Sequence, residues 1–480
     1  MENKELGSLK NLFITWSGQQ PESLTMLPPS GSYRTYYRIK SSGKSYIGAW
    51  NNDLKENKAF IHISKHFKNK GLNVPEIYAE NLNQDIYILQ DLGDKTLLKF
   101  INQNTQKKEY TTEIIDTYKK IIEHLPAIQV EGGQGFDYSV CYPRSSFDKQ
   151  SMMWDLNYFK YYFLKLARVP FNEQELEDDF QTLSNYLLTT DCNHFMYRDF
   201  QSRNIMLVDN EPYFIDYQGG RKGALQYDIA SILFEAKTNL PASLRELLLD
   251  HYLESLNKYI KVARKEFMSY YYGYVYIRLM QALGAYGFRG LYEKKTLFLQ
   301  SIPPAINHLE WILQHVSLPV KIPMLTKVFE SMVNSDDVRK LAAGMTRVTV
   351  TINSFSYRRG IPVDDSEYGG GYVFDCRYLP NPGKYDEFRN ITGCDKPVQD
   401  FLDKEEEMQD FLRSVFALVD SSIEKYLSRD FTHLMVNFGC TGGQHRSVYS
   451  AEKLSEHLSG KFVNTINIRL RHRELEMKNL

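Results

Sequence analysis

The stretch YRDFQSRN, residues 197–204, precedes the apolar run IMLV and is followed closely by FIDYQGG, residues 214–220. It places Asp199 and Asn204 five positions apart before one short strand, and Asp216 at the end of the next. Phosphoryl transfer needs a carboxylate that orients and deprotonates the acceptor hydroxyl, and metal ligands that help to neutralise the phosphate. Asp199 fits the first role, and Asn204 and Asp216 fit the second. Because a strand ending in aspartate is often only a turn, the prediction depends on the order and spacing of all three.

Bulk properties limit the remaining possibilities. A chain of 480 residues exceeds what one hydrophobic core usually organises, so we expect two or three domains. The formal net charge of -1 excludes a global attraction to nucleic acid or anionic lipid. The start MENKELGSLK is no signal peptide and no long apolar stretch exists, so we expect a cytoplasmic protein without a membrane partner. The cysteines form no CxxC pair, which argues against a structural zinc site and a disulfide framework: Cys141, Cys192, Cys376, Cys394 and Cys440.

Periodicity divides the chain into three parts. The first contains a predicted hairpin at residues 31–50, a helix at 56–69 and a strand at 86–89, followed by mainly helical patterns that include 176–188 and 266–286. Pro319 and Pro323 then mark a break. We predict an α+β bilobal, protein-kinase-like domain at 1–318, whose small lobe ends at about residue 92, then a linker and helix at 319–343, in which the helix covers residues 325–343. A smaller α/β phosphate-loop domain follows at 344–480, with strands at 348–354 and 432–438 and two helices within 396–427.

The first domain resembles the aminoglycoside-phosphotransferase and choline-kinase-like superfamily. The resemblance is carried by YRDFQSRNIM, FIDYQGG and YDIAS (residues 227–231), and it covers roughly residues 10–315. It implies ATP between two lobes, Asp199 as the catalytic base, Asn204 and Asp216 on Mg²⁺, and Asp228 as a structural residue. Tyr197 stands where the family usually carries histidine.

The ATP-binding lobe departs from that family at one strand. The resemblance makes residues 31–38 the phosphate-covering hairpin and residues 90–93 the hinge that holds adenine. The strand SYIGAW, residues 45–50, lacks the lysine that normally contacts the α- and β-phosphates, so Lys44, Arg34 and Arg38 are the nearest candidates, with Glu56 as the helix glutamate. The predicted cofactor site comprises Gly31, Ser32, Arg34, Glu56, Gln90, Asp91 and Leu92.

The expected acceptor is a small amino sugar. The hairpin, the missing lysine and MQALGAYG (residues 280–287) are similar to bacterial sugar kinases of the AmgK type, which phosphorylate N-acetylmuramate and N-acetylglucosamine in cell-wall recycling. The tyrosines of residues 270–276 form either a sugar-stacking platform or, as is more usual for an aromatic stripe on a helix, core. An aminoglycoside acceptor is the weaker alternative, because its pocket is usually strongly acidic.

A second motif lies near the C-terminus, where the strand ending at Phe438 is followed by GCTGGQHRS, residues 439–447, and a helix. Backbone N–H groups of such a loop, the helix N-terminus and Arg446 form an anion site. The spacing also satisfies the C-x-x-G-x-x-R-S loop of tyrosine phosphatases, in which Cys440 would be the nucleophile. Those enzymes carry histidine where Gly439 stands here, which favours a non-catalytic loop and leaves a phosphatase as the alternative.

Residues 346–475 resemble the C-terminal domain of the RapZ RNase adapter proteins. The shared motifs are FDCRYLPNP (374–382), TGCDKPV (392–398), GCTGGQHRSVY (439–449) and RHREL (471–475). The resemblance implies a domain that senses an amino-sugar phosphate and, in the family, contributes to RNA binding and oligomerisation. The predicted phosphate site comprises Cys440, Thr441, Gly442, Gly443, His445 and Arg446, with Arg377 and Asn381 nearby.

Three whole-protein hypotheses follow. We favour an ATP-dependent amino-sugar kinase with a sugar-phosphate-sensing domain. The second is an RNA-binding regulator, which is disfavoured because a kinase replaces the P-loop half of the RapZ family. Under this hypothesis RNA phosphates contact a basic cluster near the C-terminus, which is otherwise a solvated strand edge: Arg469, Arg471, His472 and Arg473. The third is a fusion of a kinase with a Cys440-dependent phosphatase.

Overall fold

The computed structural model describes residues 4–27, 34–105, 110–341, 348–364, 370–428, 431–462 and 465–476. The chain divides into two compact units, of which the first comprises Met1–Glu293 and Ser301–Arg339 and the second Lys294–Gln300 and Lys340–Leu480. Among the described helices none is both long and apolar enough to span a membrane.

The small lobe of the first unit is a five-stranded antiparallel sheet with two helices, and its strands lie in the order β1-β2-β3-β5-β4. Its elements are α1 (Lys4–Ser17), β1 (Ser23–Met26), β2 (Thr35–Ser41), β3 (Lys44–Trp50), α2 (Leu54–Asn69), β4 (Ile77–Asn81) and β5 (Ile86–Gln90). Ser42 and Gly43 join β2 to β3 with φ of 51° and 74°, the left-handed geometry that a two-residue hairpin turn requires. The hairpin prediction is therefore confirmed over residues 35–50. Helix α1, which the sequence analysis did not predict, buries Leu9 and Phe13 against this sheet.

The large lobe is mainly helical, and two short strand pairs hold its loops. Its elements are α3 (Leu97–Asn104), α4 (Thr112–Pro126), α5 (Lys149–Phe159), α6 (Glu173–Leu187), β6 (His194–Met196), β7 (Ile205–Val208), β8 (Glu211–Phe214), β9 (Arg221–Gly223), α7 (Gln226–Leu233), α8 (Ala242–Leu256), α9 (Arg264–Tyr286), α10 (Ile302–His315), α11 (Pro323–Asn334) and α12 (Asp336–Lys340). Strand β6 pairs with β9, and β7 pairs with β8. The segment 197–204 therefore begins at one pair and ends at the other, and Asp216 follows β8 directly.

The segment 280–287 that the sequence analysis compared with sugar kinases forms the end of helix α9, and Gly287 directly follows the helix. A Cβ at Gly287 would lie 2.1 Å from the carbonyl oxygen of Tyr162, and one at Gly284 would lie 2.9 Å from the backbone nitrogen of Phe159. These glycines therefore allow α9 to pack closely against α5 and the turn that follows it. Of the tyrosines in this helix, Tyr271, Tyr274 and Tyr276 are buried, which favours the core interpretation for those three.

The predicted single helix at 325–343 is wrong in its extent. Helix α11 ends at Asn334, Ser335 is extended and α12 begins at Asp336, while residues 342 and 343 lie outside the described residues. Helix α11 packs against α10 and α6, and the backbone N–H of Leu325 donates to the buried carboxylate of Asp179 at 2.8 Å. This helix is thus an integral part of the first unit.

The second unit has a four-stranded parallel sheet in the order β11-β12-β10-β13. Its elements are β10 (Val348–Ser356), β11 (Gly371–Asp375), α13 (Lys396–Asp403), α14 (Glu406–Ser428), β12 (His433–Cys440), α15 (Arg446–Lys461), β13 (Ile466–His472) and α16 (Arg473–Glu476). Ser356 pairs with Cys440, so β10 and β12 end together and the loops after them meet at one edge of the sheet. The predicted fold class, a bilobal α+β domain followed by a smaller α/β domain, is confirmed.

Candidate functional site

Asp199 lies in the loop between β6 and β7, and neighbouring backbone groups fix that loop. Asn204 donates from Nδ2 to the carbonyl oxygen of Asp199 at 2.9 Å, so the two predicted residues meet. Arg198, just before the aspartate, has a φ of 81°. A non-glycine residue in this region costs about 1–3 kcal/mol and persists only where surrounding contacts hold it. The loop is therefore constrained around Asp199.

Asp228 supplies much of that constraint from helix α7. Its carboxylate is fully buried and accepts the backbone N–H groups of Tyr197 and Arg198, each at 2.9 Å, and the side-chain amide of Gln129 at 3.0 Å. Burial raises the pKa of Asp228 to about 6, against the lowering effect of these three donors. The structural role that the resemblance implied for Asp228 is thus visible as a set of bonds to the catalytic-type loop.

Arg198 forms a second anchor, which the sequence analysis did not identify. Its guanidinium donates to both carboxylate oxygens of Asp155 on α5, each at 2.8 Å, and to the hydroxyl of Tyr227 at 2.9 Å. The same group lies over the ring of Phe147, 5.0 Å from its centroid. Asp155 precedes Arg198 by 43 positions, so no local pattern could have revealed the pair.

Asp216 follows β8 with a φ of 69°, and Gln218 donates to its Oδ1 at 2.9 Å. The backbone N–H of Ile215 donates to the carbonyl oxygen of Asn204 at 3.0 Å, which joins the two predicted metal-binding segments. Tyr197 donates from its hydroxyl to the carbonyl oxygen of Ile215, so the tyrosine that replaces the usual histidine ties the same two segments together. Because the Nδ2 of Asn204 is already bonded, its Oδ1 is left to join the Asp216 carboxylate as a ligand for a hard cation.

Arg34 is the buried one of the three basic candidates for the role of the missing lysine. Its side chain is 2% exposed and pairs with Glu56 on α2, with 3.4 Å between Arg34 Nη2 and Glu56 Oε1. Asn51 donates to the other oxygen of Glu56 at 2.7 Å, and Arg34 donates to the hydroxyl of Tyr36 at 3.3 Å. The Nε of Arg34 is buried and has no hydrogen-bond acceptor within the described residues, and its Nη2 has only the ion pair with Glu56. Burial raises the pKa of Tyr36, the charge of Arg34 lowers it, and the charge of Asp216 adds to the increase.

Of the two other candidates for the lysine role, Arg38 is bonded to carboxylates and Lys44 is exposed to solvent. Arg38 donates through Nε and Nη2 to the carboxylate of Asp91, at 2.7 and 3.1 Å, and also contacts Asp94. Lys44 is exposed at the start of β3. The carboxylate of the predicted hinge residue Asp91 thus binds an arginine within the small lobe.

The other predicted nucleotide-binding residues are placed in part. Gln90 ends β5, where its N–H donates to the carbonyl oxygen of Glu76 at 2.9 Å, and Leu92 is buried directly after it. Gly31 and Ser32, predicted to cover the phosphates, lie outside the described residues.

Arg221 is a further charged residue near Asp199 that the sequence analysis missed. It is 6% exposed, and its Nε donates to the carbonyl oxygen of Gly219 at 2.9 Å. A Cβ at Gly219 would lie 3.7 Å from Oδ2 of Asp199, which puts this turn beside the predicted base. Burial, reinforced by the charge of Arg198, lowers the pKa of Arg221 to about 10. Its position directly after FIDYQGG was the available sequence signal.

The loop between β12 and α15 surrounds a buried thiol. Cys440 is 3% exposed, its Sγ accepts the backbone N–H of Gly443 at 3.2 Å, and the Oγ of Ser447 lies 3.1 Å away. Thr441 and Gly442 are exposed at the open side of the loop. A Cβ at Gly439 would lie 2.5 Å from ring atoms of Phe355 and Tyr357.

The remaining predicted loop residues are tied to the segment 377–388. Arg446 donates from Nη1 to the carbonyl oxygens of Arg377 and Leu379, at 2.6 and 3.1 Å. His445 Nε2 lies 2.8 Å from the carbonyl oxygen of Phe388, so the ring donates from that nitrogen. The bonds from Arg446 bring the stretch that carries Arg377 and Asn381 to the loop.

Arg377 and Asn381 themselves are already engaged. Arg377 pairs with the Asp375 carboxylate through Nη2 at 2.6 Å and lies over the ring of Tyr357, 4.1 Å from the centroid. Asn381 accepts the backbone N–H of Gly383 at 3.2 Å.

The basic cluster near the C-terminus is partly neutralised. Arg471 pairs with Glu476 at 3.0 Å, and His472 Nε2 lies 2.9 Å from a carboxylate oxygen of Glu452. Strand β13, which carries the cluster, is an edge strand of the sheet. These contacts agree with the interpretation of a solvated strand edge.

Comparison with known proteins gives a match for each unit. Residues 26–263 match the model of the phosphotransferase enzyme family, and residues 348–476 match the model of the RapZ C-terminal domain. The chain is 36% identical over 141 residues to an RNase adapter protein RapZ of Hamiltonella defensa, covering 29% of this chain and 47% of that protein. The chain thus spans about half the length of the curated relatives it matches.

Two solved structures illustrate the similarity of the first unit. Choline kinase LicA from Streptococcus pneumoniae is 14% identical, with a TM-score of 0.41 over 64% of this chain and 100% of LicA. The Plasmodium vivax ethanolamine kinase is 12% identical, with a TM-score of 0.46 over 64% of this chain and 89% of that kinase.

Proposed function

We propose that this chain, in which an ATP-dependent kinase domain of the phosphotransferase enzyme family precedes a RapZ C-terminal domain, phosphorylates an amino sugar of cell-wall recycling. The acceptors are N-acetylmuramate and N-acetylglucosamine, and the first of these carries a carboxylate. The observation that carries this proposal is the buried cation Arg221 beside Asp199.

Arg221 favours an anionic group on the acceptor. Within the described residues its guanidinium has no carboxylate partner, whereas the neighbouring Arg198 is neutralised by Asp155. Asp155 and Asp199 attract Arg221 only at longer range, so a carboxylate of the acceptor that binds the guanidinium directly gains a charge-assisted, bidentate hydrogen bond. A polycationic aminoglycoside would instead bring like charges together, which costs binding energy. N-acetylmuramate therefore suits the site better than N-acetylglucosamine, and an aminoglycoside suits it least.

The residues around the loop then take defined roles in the transfer. Asp199 accepts the proton of the sugar hydroxyl, and Asn204 and Asp228 hold its loop in position. Arg34 neutralises the ATP phosphates in place of the family lysine, because its buried Nε has no hydrogen-bond acceptor within the part of the chain that the structure describes. Asn204 and Asp216 would hold Mg²⁺ through amide and carboxylate oxygens, a donor set that hard cations accept. When bound, that ion neutralises charge on the transferring phosphoryl group.

We propose that the loop of residues 441–445 binds the phosphate of an amino-sugar phosphate. Thr441 and Gly442 are exposed, and the loop leads into α15, a helix of 16 residues whose N-terminus favours anions. The guanidinium of Arg446 adds positive charge at this loop, and its Nη1 donates to the carbonyl oxygen of Arg377. Both units would then act on one class of metabolite. A regulatory link between them requires that ligand binding at one unit changes affinity or rate at the other.

An acceptor panel tests the kinase proposal. ADP release should be fastest with N-acetylmuramate, slower with N-acetylglucosamine and absent with an aminoglycoside. Arg221→Met should lower kcat/KM for N-acetylmuramate by about 10- to 150-fold, the equivalent of one charge-assisted hydrogen bond of ~1.5–3 kcal/mol. It should leave kcat/KM for N-acetylglucosamine nearly unchanged. Lys222→Met is the matched control, because Lys222 is the adjacent cation and lies over the ring of Tyr138.

Two results would contradict this proposal in different ways. An equal loss of kcat/KM for both sugars in Arg221→Met would refute the contact between Arg221 and the acceptor carboxylate. It would leave the proposed kinase activity standing. If no sugar stimulates ADP release that depends on Asp199, the proposal that the acceptor is an amino sugar is wrong.

A fusion of a kinase with a phosphatase stays the second candidate, favoured by the environment of Cys440. An N–H donor from Gly443 and the nearby hydroxyl of Ser447 are groups that stabilise a thiolate. This candidate predicts hydrolysis of an aryl phosphate that Cys440→Ser abolishes, and an inactive wild-type chain would dismiss it. We do not propose the RNA-adapter alternative, because Arg471 and His472 are engaged with carboxylates.

A further inference from the structure

Three side chains from distant parts of the second unit converge at its surface. Cys394 precedes α13, Glu452 lies on α15 and His472 ends β13. The Sγ of Cys394 lies 3.4 Å from Oε1 of Glu452 and 3.9 Å from Nε2 of His472, and that nitrogen lies 2.9 Å from the same carboxylate oxygen. Within the described residues this is the one group of three thiol, imidazole and carboxylate side chains close enough to share an ion.

The arrangement differs from that of a catalytic triad. In a triad the carboxylate binds one ring nitrogen of histidine and the nucleophile binds the other. Here the thiol and the carboxylate both face Nε2 of His472, while Nδ1 lies 2.9 Å from the hydroxyl of Ser354. Three potential ligand atoms therefore point at a common space instead of forming a relay.

The separations match those of ligands around one zinc ion. Bonds of ~2.0–2.3 Å in a tetrahedral site place ligand atoms about 3.3–3.6 Å apart. The three observed separations, 2.9, 3.4 and 3.9 Å, lie around that range. A thiolate, an imidazole and a carboxylate are also the ligand types that Zn²⁺ takes.

The surroundings hold the three groups in this geometry. Ser354 is fully buried in β10, and its hydroxyl oxygen can accept a hydrogen bond from Nδ1–H, which leaves Nε2 of His472 as the unprotonated ligand atom. The turn that carries Cys394 is fixed because its N–H donates to Thr392 Oγ1 at 3.2 Å and its carbonyl accepts from Gln399 at 3.1 Å.

We propose that Cys394, Glu452 and His472 form a binding site for Zn²⁺ or a similar divalent transition-metal ion. Three protein ligands leave the fourth tetrahedral position for water or for an oxygen atom of a small ligand. Cys394 is exposed, so the ion enters from solvent and the open position faces it. The absence of a CxxC pair led the sequence analysis away from zinc, because these ligands come from three separate segments.

Metal binding by the full-length chain tests this site. Purified apoprotein should bind about one Zn²⁺ per chain, and Co²⁺ in its place should give a thiolate-to-cobalt charge-transfer absorption. Cys394→Ser should abolish that absorption, and Cys192→Ser, which changes a thiol of the other unit, should preserve it. Ser354→Ala should weaken Zn²⁺ affinity by about 10- to 100-fold without changing the stoichiometry, as expected when the partner of a metal-bound histidine is lost.

The result that would overturn the proposal is equally specific. If the apoprotein takes up no Co²⁺ with a charge-transfer band, the three side chains are only a hydrogen-bonded cluster. If the band survives in Cys394→Ser or in His472→Gln, the ion binds elsewhere. Circular dichroism of each variant excludes unfolding as the cause of a loss, and kinase activity is not needed for any readout.

Discussion

Replacing Arg34 by methionine is the most direct test of how this chain handles ATP without the strand lysine. Arg34 directly precedes β2, and its side chain is 2% exposed and pairs with Glu56. Methionine keeps most of the volume and the flexible chain but removes the charge and every donor. If Arg34 contacts the phosphates, the change removes interactions that strengthen as charge develops in the transition state.

The expected size follows from the contacts. Each charge-assisted hydrogen bond is worth about 1.5–3 kcal/mol, so the loss of one phosphate contact should lower kcat/KM for ATP by about 10- to 150-fold. Arg34→Lys should recover part of this activity, because lysine keeps the charge but cannot contact Tyr36, Glu56 and a phosphate with one ammonium group. Lys44→Met should have little effect, since Lys44 is exposed.

Steady-state kinetics at varied ATP and saturating acceptor provide the measurement. The reasoning is wrong if Arg34→Met retains kcat/KM for ATP within about twofold, or if Lys44→Met is the more damaged variant. A loss caused by misfolding is recognised separately, because all the tryptophans of the chain lie in the first unit and their fluorescence reports its unfolding: Trp16, Trp50, Trp154 and Trp311.

Two further predictions concern stability of the first unit, measured by urea unfolding with tryptophan fluorescence. Because folding raises the pKa of Asp228 to about 6, the folded state binds its proton more tightly than the unfolded state, so its contribution is greatest in acid and is lost as pH rises through that value. The free energy of unfolding of wild type relative to Asp228→Asn should therefore fall by about 1.3 kcal/mol between about pH 5 and pH 7, and a constant difference would contradict this. Gly287→Ala should lower the free energy of unfolding by about 1–3 kcal/mol, because its Cβ meets the carbonyl of Tyr162. Gly7→Ala in α1, with open space around its Cβ, should raise it by about 0.5–1 kcal/mol, and equal effects of the two alanines would refute the packing argument.

The parts of the fold that the sequence predicted correctly are those with local signals. The hairpin at residues 35–50, the helix pair at 396–428 and the strand before the loop at 441–445 each have a hydrophobic period or a turn residue within a short window. Helix α1 was missed because its short apolar face becomes meaningful only against a sheet formed later in the chain. The helix predicted across Ser335 was too long, because local propensity does not show where a chain must turn to pack.

The residues of the candidate site also differ in whether a local sequence signal predicts them. Asp199, Asn204 and Asp216 lie within 18 positions of one another, so their order was enough to predict a common site. The choice of Arg34 over Lys44 and Arg38 needed the positions of Glu56 and Asp91, and the Arg198–Asp155 pair joins residues 43 positions apart. Contacts of that range are set by tertiary packing, which no window of sequence records.

The packing around Gly439 has a consequence for how readily this loop could change its chemistry. Tyrosine phosphatases carry histidine at the equivalent position, yet here the rings of Phe355 and Tyr357 occupy the volume that even a methyl group would need. A single substitution towards the phosphatase pattern would therefore disturb the sheet before it altered the thiol. A histidine at position 439 could be accommodated only if Phe355 and Tyr357 also changed, so packing ties this position of the loop motif to the residues of the neighbouring strand end.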